Sequence, residues 1–175
     1  MRIHSESLIH HPRDVVYTAY RDNLSEVASY IPDIRAIDVV TREEGPGTVK
    51  LHNLWIADHE VPSFAKAFIK PEMMCWDDHA DWSDAEQLVR WELHVRAFSE
   101  AVTCKGTNSF HAVDAHTTKV LLEGELQIDL ARVRGVPRIM AGRLGPKVER
   151  FIVALITPNL EKVNECLGAY LDDRG

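Results

Sequence analysis

Two stretches of strict alternation do most to limit what this chain can fold into. In QLVRWELHVRA, residues 87–97, Val89, Trp91, Leu93 and Val95 occupy every second position, and Arg90, Glu92, His94 and Arg96 fill the positions between. A helix would scatter those four apolar residues around its axis, whereas a strand sends them all to one side. In TKVLLEGELQIDLA, residues 118–131, Val120, Leu122, Leu126, Ile128 and Leu130 alternate with Lys119, Glu123, Glu125, Gln127 and Asp129. Strands of this kind belong to an antiparallel sheet with one wet face and one apolar face. Such a sheet has to be covered, so the remaining elements must supply a lid.

The rest of the chain supplies further strands and that lid. RIHSESLI, residues 2–9, reads as a strand ending at His11-Pro12. Proline suits the first turn of a helix, and Val15, Val16, Ala19 and Tyr20 then follow at helical spacing. Leu24, Val27, Ala28 and Ile31 make a second short helix, with Asn23 as its N-cap. From residue 34 the period changes to two. A strand over 35–42 and a second over TVKLHNLWIAD form a hairpin about Gly45-Pro46-Gly47, with Val49, Leu51, Trp55 and Ala57 on one face. EMMCWDDHADW predicts a strand with Met74, Trp76, Ala80 and Trp82 on one side, and EAVTCKGTNSFHAV a weaker one carrying Val102, Cys104 and Phe110. From Pro146 to about Asp172, an apolar stripe through Val148, Ile152, Leu155, Val163 and Leu167 predicts a long helix, bent where Thr157-Pro158 interrupts it.

Composition limits the function classes. At 175 residues, with 45% hydrophobic and 27% charged residues, the chain reads as a single globular domain spanning 1–175. Its longest apolar run, FIVALI at 151–156, is far short of the roughly 18 residues of a spanning helix. The opening MRIHSESLIHHPRD lacks the apolar core of a secretory signal, and Cys75, Cys104 and Cys166 are widely spaced, so free thiols and a cytoplasmic location are expected. A net charge of −7 argues against nucleic-acid binding. The charge is uneven: residues 131–150 hold six basic side chains against Glu149, a local +5 that leaves −12 on the rest.

Motifs for chemistry are sparse. The nine histidines include no H-x-x-x-H pair on a helix, C-x-x-C is missing, and His52, His94 and His116 fall on outward positions, so no metal site is expected. Neither G-x-S-x-G nor a phosphate-binding glycine loop occurs. The acidic cluster WDDHADWSDAE, with Asp77, Asp78, Asp81, Asp84 and Glu86, reads as a solvated charge run at a strand end and turn. No catalytic residue and no cofactor can be named from these patterns.

The order of elements, with IHHPRDVVYTAYRD at the opening, SYIPDIRAIDVV entering the second strand, GPGTVKL at the hairpin and PKVERFIVALITPNLEKVNECLGAYL at the close, resembles the START-like helix-grip superfamily. That superfamily includes lipid-transfer domains, birch-allergen-like binders and polyketide cyclase/dehydrase-like proteins. A fainter likeness, carried by the hairpin, VPSFAKAFI and the final helix, is to PRELI-type phospholipid carriers. The resemblance implies an α+β helix-grip fold: a curved seven-stranded antiparallel sheet wrapped around a long C-terminal helix, with two short helices after strand 1.

It further implies an apolar cavity between sheet and helix that binds, and in a carrier transports, a hydrophobic small molecule or lipid. The expected lining on the strands is Leu51, Asn53, Trp55, Trp76, Trp91, Leu93, Asn108, Phe110, Leu122 and Leu126. On the helix it is Phe151, Ile152 and Leu155. Phe64 and Phe68, in the proline-interrupted segment 61–69, are expected either as a gate over that cavity or as filling for one end of the core. Asn53 and Asn108 are the inward amides, which either bond backbone or orient a ligand head. Arg132, Arg134, Arg138 and Arg143 either contact an anionic head group or membrane surface transiently or form a solvated loop that balances the acidic remainder. Binding without catalysis is the first reading. A cyclase/dehydrase-like enzyme acting on a polyketide-like substrate is the alternative.

Overall fold

A computed structural model describes residues 1–174 apart from 62, 64, 65, 67–69, 99, 130, 131 and 133–137, with the side chains of 138–144 also outside the description. Seven strands make one antiparallel sheet: β1 (Arg2–Ile9), β2 (Ile34–Gly45), β3 (Thr48–Ala57), β4 (Cys75–Ser83), β5 (Leu88–Val95), β6 (Val102–Ala112) and β7 (Thr118–Ile128). Their spatial order is β1-β7-β6-β5-β4-β3-β2. Strands 2 to 7 therefore meander, and β1 closes against the last of them, as Ile3↔Gly124 and Ile9↔Thr118 show. Helices α1 (Arg13–Asp22) and α2 (Leu24–Val27) follow β1, and α3 (Arg138–Asp172) ends the chain. This is the helix-grip arrangement, a curled sheet closed on a long C-terminal helix.

The alternation read from sequence holds along β5, where Val89, Trp91, Leu93 and Val95 are buried and Arg90, Glu92 and His94 are exposed. The β2–β3 turn closes on Pro46 and Gly47, and the latter's φ of 68° lies in the left-handed region that favours glycine. Buried apolar side chains from the sheet, α1, α2 and α3 join in one cluster.

Two boundaries differ from the sequence reading. The long helix begins at Arg138, eight positions before Pro146, so that Pro146 and Pro158 both lie inside it. Proline lacks the amide hydrogen but accepts helical φ, and a sequence reading that takes it as a start signal places the first turn too late. LSEVASYI is one short α-turn followed by a 3-10 turn at Ala28–Tyr30 rather than a continuous α-helix. No helix among the described residues is long and apolar enough to cross a membrane.

The C-terminus of α3 is tied to the α2 region. Glu26 accepts hydrogen bonds from Tyr170 Oη (3.0 Å), Asn23 Nδ2 (3.2 Å) and Arg174 Nη2. Tyr30 Oη donates to Asp173 at 2.8 Å, and His11 Nε2 lies 2.8 Å from Asp172.

Candidate functional site

The inner face of the sheet is built from cross-strand ranks. Trp55 stands opposite Trp76, Asn53 opposite Asp78, Leu51 opposite Ala80 and Val49 opposite Trp82. On the far side of β4, Ala80 faces Trp91 and Asp78 faces Leu93. Continuing outward, Trp91 meets Gly106, and Gly106 meets Gly124. The largest side chain in this rank thus has Ala80 on one side and two glycines on the other. The indole fills the room they leave: a Cβ on Gly106 would lie 2.6 Å from Trp91 Cζ2, and one on Gly124 would lie 2.8 Å from Trp91 Cη2.

Between this face and the helices lies a hollow. Its floor carries Leu51, Asn53, Trp55, Trp76, Asp78, Ala80, Trp82, Val89, Trp91 and Leu93; its roof is Tyr20 of α1, Leu24 of α2, and Ile156, Asn159 and Leu160 of α3. The three α3 residues follow i, i+3, i+4 spacing and so share one helix face. All four tryptophans of the chain line it. Trp55 and Trp76 stack at 5.7 Å with ring planes 19° apart. The cavity volume is about 30 Å³, against roughly 300–1,000 Å³ for ordinary ligand pockets. Counting the space that opens to solvent, the unfilled volume is about 540 Å³. A guest larger than a few heavy atoms requires the walls to part.

The hollow is apolar in its bulk but carries a polar cluster. Asp78 is buried, 6% exposed, and its Oδ2 accepts from Asn53 Nδ2 (3.1 Å) and Trp55 Nε1 (3.2 Å). Burial drives its pKa up to about 6, against the pull of those two donors and of His52. Beside it a second chain runs from Trp91 Nε1 to Asn108 Oδ1 (3.0 Å) and from Asn108 Nδ2 to Tyr20 Oη (3.0 Å). Burial, and secondarily the charge of Asp78, raises the Tyr20 phenol well above its ordinary value.

Six buried side-chain polar atoms among the described residues have no partner, and three of them, Asn53 Oδ1, Asn159 Oδ1 and Trp82 Nε1, belong to residues lining this hollow. Each such group costs about 1–3 kcal/mol when left unpaired.

Of the expected lining, Leu51, Asn53, Trp55, Trp76, Trp91 and Leu93 border the hollow. Asn108 stands behind it, orienting Trp91 and Tyr20. Phe110 packs edge-on against Tyr17 and Tyr20, while Leu122, Leu126, Ile152 and Leu155 are core. Phe151 is half-buried against Phe98. Phe64 and Phe68 lie outside the described residues, as does Arg134. Arg138 and Arg143 are in α3 without described side chains, and Arg132 is exposed and paired with Asp129 at 3.1 Å.

Sequence reasoning missed Tyr20, Asn159 and, above all, Asp78, and it placed Trp82 on the inner face without counting it in the lining. The signal for Asp78 was present: alternation through Trp76, Ala80 and Trp82 places residue 78 on the same inner face.

Asp77, its neighbour, faces outward. Arg96 Nε and Nη2 each approach it at 2.8 Å and His52 Nε2 at 2.7 Å, and these partners hold its pKa well below the usual carboxylate range. His52 stacks on His79 at 4.5 Å, and His94 meets His79 edge-on at 5.4 Å. Burial, then repulsion from His52 and His94, lowers the His79 pKa. Among the described residues no set of His, Cys, Asp or Glu converges as a metal site would.

Comparison with solved structures places the fold. The chain is similar to the Zhui aromatase/cyclase of Streptomyces sp. R1128 at TM-score 0.69 and 16% identity, covering 99% of this chain and 94% of that one. It is similar to a protein of Thermus thermophilus at TM-score 0.63 and 19% identity, covering 97% and 95%. Norcoclaurine synthase of Thalictrum flavum, in complex with dopamine and hydroxybenzaldehyde, aligns at TM-score 0.57 and 10% identity, covering 100% and 88%. No family model and no curated protein sequence matches the chain. At these identities the likeness establishes a START-like helix-grip fold.

Proposed function

We propose that this START-like helix-grip chain binds a hydrophobic small molecule in the hollow between its sheet and α3. The observation that carries the reading is the gathering of all four tryptophans and Tyr20 around one unfilled space. Flat rings of this size bury large areas against a planar or aliphatic guest, and a few fixed polar groups among them set its orientation. The solved neighbours support the class of guest, since they include an aromatase/cyclase and a synthase holding two small aromatic molecules. Release to a membrane, with segment 61–69 as gate and Arg132, Arg134, Arg138 and Arg143 as contacts to anionic heads, would make the binder a carrier.

Extraction of the purified protein with organic solvent, followed by mass spectrometry, tests the reading, together with calorimetric titration of naphthalene-sized and lipid guests. An apolar molecule recovered in near-stoichiometric amount, or saturable uptake, is expected. A clean extract and no heat of binding from any guest would overturn it.

A second reading, a cyclase/dehydrase-like enzyme on a polyketide-like substrate, is favoured by one observation. Asp78 is an ionisable group inside the hollow whose pKa burial has moved towards neutrality, as acid–base work requires. Turnover of a polyketide-like substrate that Asp78→Asn abolishes would establish it.

A further inference from the structure

The polar atoms of the hollow are not a neutral mixture. Asp78 presents two carboxylate oxygens, and the structure gives hydrogen bonds to Oδ2 alone. Asn53 Oδ1 and Asn159 Oδ1 are two more acceptors without partners. Their orientations are chemically forced. Asn53 must turn Nδ2 to the carboxylate it bonds, and Asn159 must turn Nδ2 to the Leu155 carbonyl at 2.8 Å. Both amide oxygens are therefore left over. Against these acceptors stand Trp82 Nε1, which has no partner, and the hydroxyl hydrogen of Tyr20, whose oxygen accepts from Asn108.

No lysine or arginine lines the hollow among the described residues. The basic side chain that acts on Asp78 is His52, whose ring belongs to the outward row that stacks on His79. A buried carboxylate without a counter-ion is costly. The walls around it are indole faces, which carry negative potential and attract cations.

We propose that the polar end of this hollow is a recognition site for a protonated amine carried on an aromatic or otherwise apolar body. Asp78 serves as counter-ion, the Asn53 and Asn159 oxygens receive the remaining N–H groups, and the stacked Trp55–Trp76 pair and Trp91 hold the body. A carboxylate or phosphate guest meets the like charge of Asp78 and more free acceptors than donors, and is disfavoured. This deepens the binding reading above and rests on it.

Three guests sharing one ring system separate the two: 2-naphthylmethylamine, 2-naphthylmethanol and 2-naphthoate, each titrated calorimetrically into the full chain at pH 7.5. The amine should bind at least about tenfold more tightly than the alcohol, as a desolvated charge pair with cation–π support would give, and the carboxylate most weakly. Asp78→Asn should remove the amine's advantage over the alcohol, and a cooperative thermal unfolding transition of the variant shows that it is folded. Alcohol and amine binding equally, the carboxylate binding best, or an amine preference that survives Asp78→Asn would each overturn this proposal while leaving the hydrophobic-binder reading in place. Failure of all three guests to bind would overturn this proposal, and the binder reading falls with it only if the solvent extract is clean and no lipid guest binds.

Discussion

Asp77 and Asp78 are adjacent in sequence and opposite in every physical respect. Asp77 faces outward between Arg96 and His52, and Asp78 faces inward among indoles. Their pKa values move in opposite directions, so they contribute to stability with opposite sign. For Asp78 the folded value of about 6 exceeds the ordinary 3.8, so the native state holds its proton more tightly than the unfolded chain. This stabilises the fold below about pH 4 relative to higher pH, and the benefit disappears as pH rises through 6. The difference amounts to about 3 kcal/mol at neutral pH. Asp78→Asn should therefore raise the Tm at pH 7.5 by about 6–12 °C, and the gain should shrink towards zero near pH 4. Scanning calorimetry of both proteins across that range checks it, and a pH-independent difference would contradict the assignment. Asp77→Asn should do the reverse. The stabilisation that Asp77 draws from Arg96 and His52 is present above its ordinary 3.8 and lost as pH falls below it, so the variant's Tm deficit should be full at pH 7 and close on acidification. Six residues that border the hollow, Trp55, Trp91 and Asn53 among them, were legible from alternation. Asp78 was not, because solvation of charge is the stronger default and periodicity alone cannot say that a carboxylate has donors waiting inside.

At the scale of elements, the rank Ala80–Trp91–Gly106–Gly124 shows how a sheet houses a large ring on its concave side. The two glycines are not equivalent. A Cβ on Gly124 would collide chiefly with Trp91, but a Cβ on Gly106 would lie 2.2 Å from the Glu123 carbonyl oxygen and 2.7 Å from Gly124 Cα, which are backbone. Gly124→Ala should cost about 1–3 kcal/mol by overpacking, and much of that cost should be recovered in combination with Trp91→Leu. Gly106→Ala should cost more and recover little with the same partner, since removing the indole leaves the backbone obstacle in place. Urea denaturation of the single and double variants reads the coupling directly. Equal recovery at both positions would show that Trp91 is the sole obstacle. The strands themselves were legible because each carries its pattern within a few residues. The start of α3 was not, because Pro146 imitates a helix start while the helix runs through it.

The molecule as a whole combines a sheet paired strand to strand with a lid that is fixed most plainly at its end. Tyr170, Asp172, Asp173 and Arg174 tie the C-terminus of α3 to the α1–α2 region. Pro158, beside Asn159 over the hollow, supplies no amide hydrogen to the helix ladder. With a cavity of about 30 Å³, admission of a guest has to come from movement of such a wall. Amides around 152–160 should therefore exchange with deuterium at least about tenfold faster than those of β5 and β6 in the free protein, and slow on saturation with a guest. Protection as high as that of the central strands, unchanged by guest, would contradict movement of this wall. The grip architecture was legible because it follows from element order and one-sided strands. The size of the hollow was not, because it depends on how far side chains such as Leu160 and Trp82 reach towards each other across the gap, and no pattern in the sequence encodes that distance.

Because Trp55, Trp76, Trp82 and Trp91 are the chain's full complement of indoles and all border one space, the tryptophan emission of the protein originates entirely from the walls of that space. A colourless guest that displaces solvent or a carboxylate from those rings should change the intensity and wavelength of the light they emit. The protein thus carries its own optical gauge of occupancy, and needs no attached dye.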